Sequence, residues 1–520
     1  MKKSYAFALM SGLLMLGSCA SDAPEYPQMD PIDEEGNIGY IRFNINNSDT
    51  RANTEGTDAG IADESAIDHI DFLFTGVDNQ PFKVRVEKGD IEGNKAIVKL
   101  PKMPKYVAVI VNGNGSYNNI TDLTLASYAV DRYTNPNAAE NQQFYMSSSR
   151  YWDNSHNKVH RTDISASQVY KSEDAAKAGT AVSLTVERYV AKVNVKSEVE
   201  LTDGAINPLT GDHEHDVKNN GADAKITFTP EYVFLTGVND KAFRVKDLPD
   251  WSVMDQMDLE DWCNDFGGKR SFWVGNTAGT VQFQTLNQLN GTTANTDTWA
   301  KWTKAYGDDK VFYPFENRQE NDENNSNPNY RAKKTSVVVA GKYTVKDADG
   351  ADLADTDGSF YLVAFENQFT VCKTEADAIK AMGGTTTDVL VPEGANSTDL
   401  VPGELAYNDN KWTGWTGWMK IKGNNNVIRC IKYNGGYGYY SKAIVRVTTA
   451  DDTSYDAIVR NHLYTINIKG ISGMGVGIPD PDQPIINIPN PDPTEQNYFL
   501  NMTVTVAPWK VVPAQDAEWK

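Results

Sequence analysis

The sequence predicts a mostly β protein of two antiparallel β-sandwich domains, on three observations. Apolar residues recur with period two along most of the chain, helical patterns are few, and polar turn-rich stretches separate the alternating runs. At 520 residues the chain exceeds one typical core, so two domains with long insertions are expected. A hydrophobic fraction of 40%, with 25 Tyr, 18 Phe and 11 Trp, is ample for packed interiors and excludes a disordered chain. The 70 Asp plus Glu outnumber 49 Lys plus Arg, a formal charge of -21. That sign repels polyanions and argues against nucleic acid as a partner.

The N-terminus carries Lys2 and Lys3, an apolar run from Ala6 to Leu16, and then Leu16-Gly17-Ser18-Cys19. This is an export signal, to be set aside from the fold. Small residues directly before Cys19 fit a bacterial lipobox over 1–19, in which the thiol is acylated and becomes the new N-terminus. No later stretch approaches the ~20 apolar residues that a membrane span requires, so lipid is the expected anchor. Cys263, Cys372 and Cys430 show no metal or redox spacing, and one disulfide plus one buried thiol is compatible with them.

The first strand follows in "IGYIRFNI", where Ile41, Phe43 and Ile45 share one face and Arg42 and Asn44 the other. "HIDFLF" alternates Ile70, Phe72 and Phe74, and "YVAVIVN" reads as a buried strand. Further strands are expected at "AVSLTVERYVAKVNVKSEVE", "AKITFTPEYVFL", "TSVVVAGKYTV", "SFYLVAF", "KAIVRVTT" and "HLYTINIKGI", and "EADAIKAM" is the clearest helix. A domain boundary is expected at 184/185, after the polar "SEDAAKAGT". The Pro-rich stretch 477–496 reads as an extended spacer. Beyond it Tyr498, Leu500, Met502, Val504 and Val506 alternate on one face, Pro508 interrupts, and Trp509 and Val511 resume on the shifted face. Such a terminal strand either folds back into its own domain or completes another molecule.

"IVRNHLYTINIKGI", the Pro/Asp linker, "YFLNMTVTVAPWKVV" and the terminal "AQDAEW" closely resemble the C-terminal region of the FimA-like and Mfa-type fimbrial shaft subunits of Bacteroidales, the type V pilins. "VERYVAKVNVK" is similar to the start of that family's second domain. The resemblance implies two transthyretin-like sandwiches, over 52–184 and 185–476, with a C-terminal donor strand in 497–520. It implies a lipoprotein precursor that reaches the outer surface, where an arginine-specific or trypsin-like protease cuts after Arg51, before Ala52. The segment 20–51 is then lost, and with it the strand from Ile38 through Ile41 and Phe43 to Ile45. A neighbouring subunit's donor strand fills the vacated groove. The implied partners are other copies of the chain in a head-to-tail polymer, accessory tip and anchor subunits, and host or bacterial surface ligands met in adhesion and biofilm formation. Arg51 lies between the first strand and the flexible "ANTEGTDAGIADES", where exposed backbone can enter a protease cleft.

No enzyme is expected. The sequence has no GxSxG, P-loop or HExxH, and "GMGVG" leads into the proline-rich stretch rather than a helix. "GDHEHD", with His213 and His215 beside Asp212 and Asp216, reads as a solvated turn. Asp347, Asp349, Asp352, Asp355 and Asp357 lack EF-hand spacing and read as a hairpin turn, so neither metal nor cofactor is expected. Trp412, Trp415 and Trp418 motivate an alternative, a monomeric glycan-binding surface lipoprotein, although their spacing favours packing. A second alternative is a tip or anchor subunit.

Overall fold

A computed structural model describes residues 39–47, 67–92, 94–113, 117–118, 144–148, 151–152, 158–159, 161–197, 217–219, 222–245, 281–291, 299–301, 310–318, 334–365, 368–392, 407–408, 411–412, 417–424, 428–444, 446–448, 454–455, 457–472, 474–487 and 499–508. It is mostly β, as the alternation requires.

The N-terminal part of the chain, up to Arg188, is built on one nine-stranded sheet. Its strands are β1 (Gly39–Asn47), β2 (His69–Gly76), β3 (Pro81–Glu87), β4 (Ile91–Glu92), β5 (Lys95–Leu100), β6 (Pro104–Val111), β7 (Met146–Ser148), β8 (Thr162–Asp163) and β9 (Val182–Arg188). They are hydrogen-bonded in the order β3-β2-β6-β7-β9-β1-β5-β4, with β8 on β6. Although far apart in that order, β3 and β5 touch, so the sheet folds over and encloses a core. Alternate residues supply that core: Ile41, Phe43 and Ile45 from β1, Ile70, Phe72 and Phe74 from β2, Val107, Val109 and Val111 from β6, and Val182, Leu184 and Val186 from β9. β8 leads into a turn closed by a capping box at Ser165 and Gln168, and then into the short helix α1 (Glu173–Ala178), capped by Ser172.

The expected boundary at 184/185 falls inside β9. Its alternation runs through Val186, so the chain leaves the first sheet only at Tyr189–Ala191 and enters β10 (Lys192–Ser197). β10 lies between β11 (Lys310–Phe312), antiparallel, and β12 (His462–Ser472), parallel. β13 (Phe499–Pro508) pairs antiparallel with β12 and forms the edge of this four-stranded sheet.

The C-terminal half is larger than one sandwich. A five-stranded sheet around Lys225–Thr236, Ser336–Lys346 and Tyr437–Ala443 shares its core with the β10 sheet. A seven-stranded sheet around Phe360–Phe365, Gln368–Cys372 and Arg429–Tyr433 turns Phe360, Leu362 and Ile431 toward that core. Its other face, Tyr361, Val363, Cys372 and Cys430, is covered by the helix Glu375–Ala381, where "EADAIKAM" placed one. That helix starts at Thr374, whose side chain accepts from the Asp377 N–H.

Two expectations need correction and a third is extended. The Asp-rich run does turn back on itself, with Lys346 bridged antiparallel to Asp352 and the Asp347 N–H donating to the Ala351 carbonyl at 2.9 Å, and the chain then crosses from the sheet of Ser336–Lys346 to that of Phe360–Phe365. The proline-rich spacer is partly core, because Ile478, Ile485 and Ile486 are buried and Pro484–Ile485 pairs with Gln284–Thr285. Pro tolerates such a sheet edge, where its missing donor is not needed. Cys372 and Cys430 are both free and buried. They sit on the two strands flanking Phe360–Phe365, opposite Tyr361 and Val363. Two strand spacings are roughly 10 Å, beyond the ~7 Å that a disulfide bridges. Burial pushes these thiols up to about 11 and about 12, which makes them inert packing groups. Cys263 lies outside the described residues.

Candidate functional site

The candidate site is the slot that β1 occupies. Three apolar residues at alternate positions make "IRFNI" a strand with one buried face, and Ile41, Phe43 and Ile45 are at most 2% exposed. The strand is not at an edge. On one side it runs antiparallel to β5, with Ile41 opposite Val98 and Phe43 opposite Ala96. On the other it runs parallel to β9, with Phe43 opposite Val182 and Ile45 opposite Leu184. The Phe43 ring lies 4.6 Å from that of Phe72 and 6.1 Å from that of Phe74. Ile45 N–H donates to the Asn94 carbonyl at 2.7 Å.

Ahead of its pairing with β9, the same edge of β1 bridges the segment before β9, and Arg42 on the outer face reaches that segment too. Tyr40 N–H donates to the Tyr170 carbonyl at 2.7 Å and Tyr170 N–H returns the bond at 2.8 Å. Arg42 Nη1 donates to the Lys177 carbonyl at 2.7 Å. Gly39 permits this approach, since a Cβ there would stand 2.8 Å from Val169 Cγ1 and 3.1 Å from the Tyr170 carbonyl oxygen. Sequence reading missed these contacts: Arg42 read as an ordinary outward charge, and its partner is 135 residues away.

Ile38, Arg51 and Ala52 lie outside the described residues, as do Cys19, Tyr498, Trp509 and Val511. Arg51 belongs to the stretch 48–66 joining β1 to β2. Leu500, Met502, Val504 and Val506 fall on β13, opposite Ile471, Ile468, Ile466 and Tyr464 of β12. Of those four, Tyr464, Ile466 and Ile468 are fully buried. The first strand and the tail are therefore not brought together: β1 is central in the first sheet, and β13 borders the β10 sheet.

A polar junction ties the sheets together where β9 passes into β10. Arg460 Nε donates to Glu316 Oε2 at 3.2 Å, with both side chains at most 3% exposed. Arg460 Nη2 also donates to the Phe243 carbonyl at 2.9 Å. Arg188 Nη1 donates to Asn461 Oδ1 at 3.2 Å, and Asn461 N–H to the Val190 carbonyl at 2.7 Å. "VERY" and "VRNH" carried Arg188, Arg460 and Asn461 in the sequence, but only the fold shows that they meet each other and Glu316.

Among the described residues, no group of three or more His, Cys, Asp or Glu is placed to hold a metal. Asp347 Oδ1 accepts from the Ala351 N–H, and Asp357 accepts from the Ser359 N–H and hydroxyl, so these carboxylates shape turns. His213 and His215 lie outside the described residues, as does Trp415. Trp418 is 9% exposed, with the Arg429 guanidinium 4.5 Å from its ring centre. Among the described residues, no helix is long and apolar enough to cross a membrane.

Residues 431–514 match the family described as major fimbrial subunit protein type IV, Fimbrillin, C-terminal. That span covers β12, the proline-rich segment and β13. No curated protein matches the chain. Solved structures similar to it include a candidate cell adhesion protein of Parabacteroides distasonis, 14% identical over 91% of this chain and 99% of that chain, with a TM-score of 0.39. Another is the tip fimbrial protein Mfa3 of Porphyromonas gingivalis with a C-terminal truncation, 10% identical over 90% of this chain and 98% of that chain, TM-score 0.32. A fimbrial assembly protein of Parabacteroides distasonis is 12% identical over 64% of this chain and 91% of that chain, TM-score 0.27. Residues 431–514 are thus similar to the C-terminal region of the fimbrillins.

Proposed function

We propose that this chain is a structural shaft subunit of a surface fimbria. It is exported as a lipoprotein acylated at Cys19, matured at the outer membrane by cleavage after Arg51, and polymerised when a neighbour's C-terminal strand takes the place of β1. The observation that carries this reading is β1 itself, a central strand with a wholly buried face whose downstream connection contains Arg51. Loss of 20–51 would open unpaired ladders on both β5 and β9 and expose Phe72 and Phe74. Three buried side chains at about 1.5–3 kcal/mol each, plus the ladder bonds, are then regained only by a replacement strand.

The tail has the alternation that such a slot demands, and among the described residues β13 is hydrogen-bonded along one edge. Residues 488–498, at about 3.1 Å per extended residue, could carry it about 30 Å. A strand given to the next copy and a slot filled by the previous one make a head-to-tail contact that propagates as a filament. Holding both the arginine and the tail favours the shaft over the tip or the anchor. The role is structural, without catalysis, and tip and anchor subunits, a trypsin-like protease and surface ligands are the partners it implies. Arg51→Ala tests the reading. Mass spectrometry of surface material should give an N-terminus at Ala52 in wild type and none in the variant; polymers whose subunits still begin at Cys19 would refute it.

A further inference from the structure

The segment between β8 and β9 pairs with the edge of β1 at Tyr170 and carries α1 against its outer face, and we infer that it is a strap that retains β1 in its slot and sets how readily the strand leaves. β1 is enclosed on four sides: the core beneath, β5 along one edge, β9 and then Tyr170 along the other, and α1 against its outer face. Three hydrogen bonds anchor the strap to it, the reciprocal Tyr40 and Tyr170 pair and the bond from Arg42 to the Lys177 carbonyl. Ala176 of α1 is fully buried, and α1 touches both β1 and β5. The strap is also closed from within. The Tyr170 hydroxyl accepts from the Thr180 N–H at 2.7 Å, Ser172 Oγ from the Ala175 N–H at 3.2 Å, and a Cβ at Gly179 would run into the Tyr170 ring.

This deepens the reading of β1 as a removable strand and adds a difference between β1 and its replacement. Any strand without proline at the Tyr40 position remakes the backbone pair. If the tail enters with Leu500, Met502 and Val504 toward the core, its alternate positions are Asn501, Thr503 and Thr505, and none supplies a guanidinium for the Lys177 carbonyl. The strap therefore clasps the unprocessed chain more firmly than the polymerised one.

The test is amide hydrogen exchange on the intact full chain and needs no cleavage. Arg42→Gln removes the guanidinium bond, and Gly179→Val breaks the strap from within without touching β1. Both should speed exchange at residues 169–180, and at residues 42–45 by about threefold to tenfold, the worth of one such hydrogen bond, while β2 and β6 stay at the wild-type rate. Unchanged exchange at 42–45 with an opened strap, or a strap that neither variant opens, would overturn the inference. Should Gly179→Val also raise exchange in β2 and β6, Arg42→Gln decides alone. A chain that is never cut after Arg51 but shows these exchange changes would sink the processing reading and leave the strap standing.

Discussion

Phe43 is a residue at which the proposed precursor and its processed form would differ. Its ring fills the space beside Phe72 and Phe74, so Phe43→Ala should cost the full-length chain about 3–5 kcal/mol, read as a lower denaturant midpoint. A chain from which residues up to Arg51 have been removed no longer contains the position, and the same substitution should leave its assembly unchanged. Asp71 makes a different case. It points away from the main core yet is fully buried, accepting from Arg85 Nε at 2.7 Å, Arg85 Nη2 at 2.6 Å and the Tyr117 hydroxyl at 2.6 Å. Burial pushes its carboxyl up, but the hydrogen bonds from Arg85 and Tyr117 outweigh burial and hold it below the ordinary 3.8. Its stabilisation is therefore complete above that value and is lost as the pH falls through the depressed one. Asp71→Asn should cost about 1–3 kcal/mol at neutral pH, and the difference from wild type should shrink in melts below pH 3.8.

Elements were legible wherever one face is buried. "IRFNI" and "HLYTINI" alternate because one face meets a core, and "HIDFLF" turns Ile70, Phe72 and Phe74 to the main core while Asp71 and Leu73 are buried on its other face; they became β1, β12 and β2. The proline-rich segment misled because its prolines outweighed Ile478, Ile485 and Ile486, whose burial depends on a groove that only tertiary structure provides. The strap was illegible for a related reason: its bond to β1 runs through a backbone carbonyl at Lys177, which leaves no mark in residue type. β13 itself follows the alternation, and its backbone register places Val504 opposite the fully buried Ile466. Val504→Asp, a charge in an apolar setting, should leave a folded precursor that no longer enters a neighbour's slot. Size exclusion after trypsin should show monomer in the variant and ladders in wild type.

At the scale of the molecule, the proposed fibre would require that pull on the tail reach the slot without bending the subunit between. The passage from β9 to β10 would do this directly, since one chain segment walls the slot and then borders β12, the strand that pairs with β13. The junction beside it is stiffened by the buried Arg460 and Glu316 pair. Glu316→Ala leaves the guanidinium buried without its counter-charge and should cost about 3–5 kcal/mol, with loss of amide protection at 188–191 before the core strands open.

The central claim is that β1 is replaced by the tail of another copy. The most direct measurement is electron microscopy with size exclusion, before and after arginine-specific proteolysis, of the full chain and of a chain ending at Gln496. The full chain should be monomeric before cleavage and fibrous after it, while the shortened chain should fold, be cut after Arg51 and stay monomeric. Fibres from the shortened chain, or its collapse into aggregates before any cleavage, would contradict the claim.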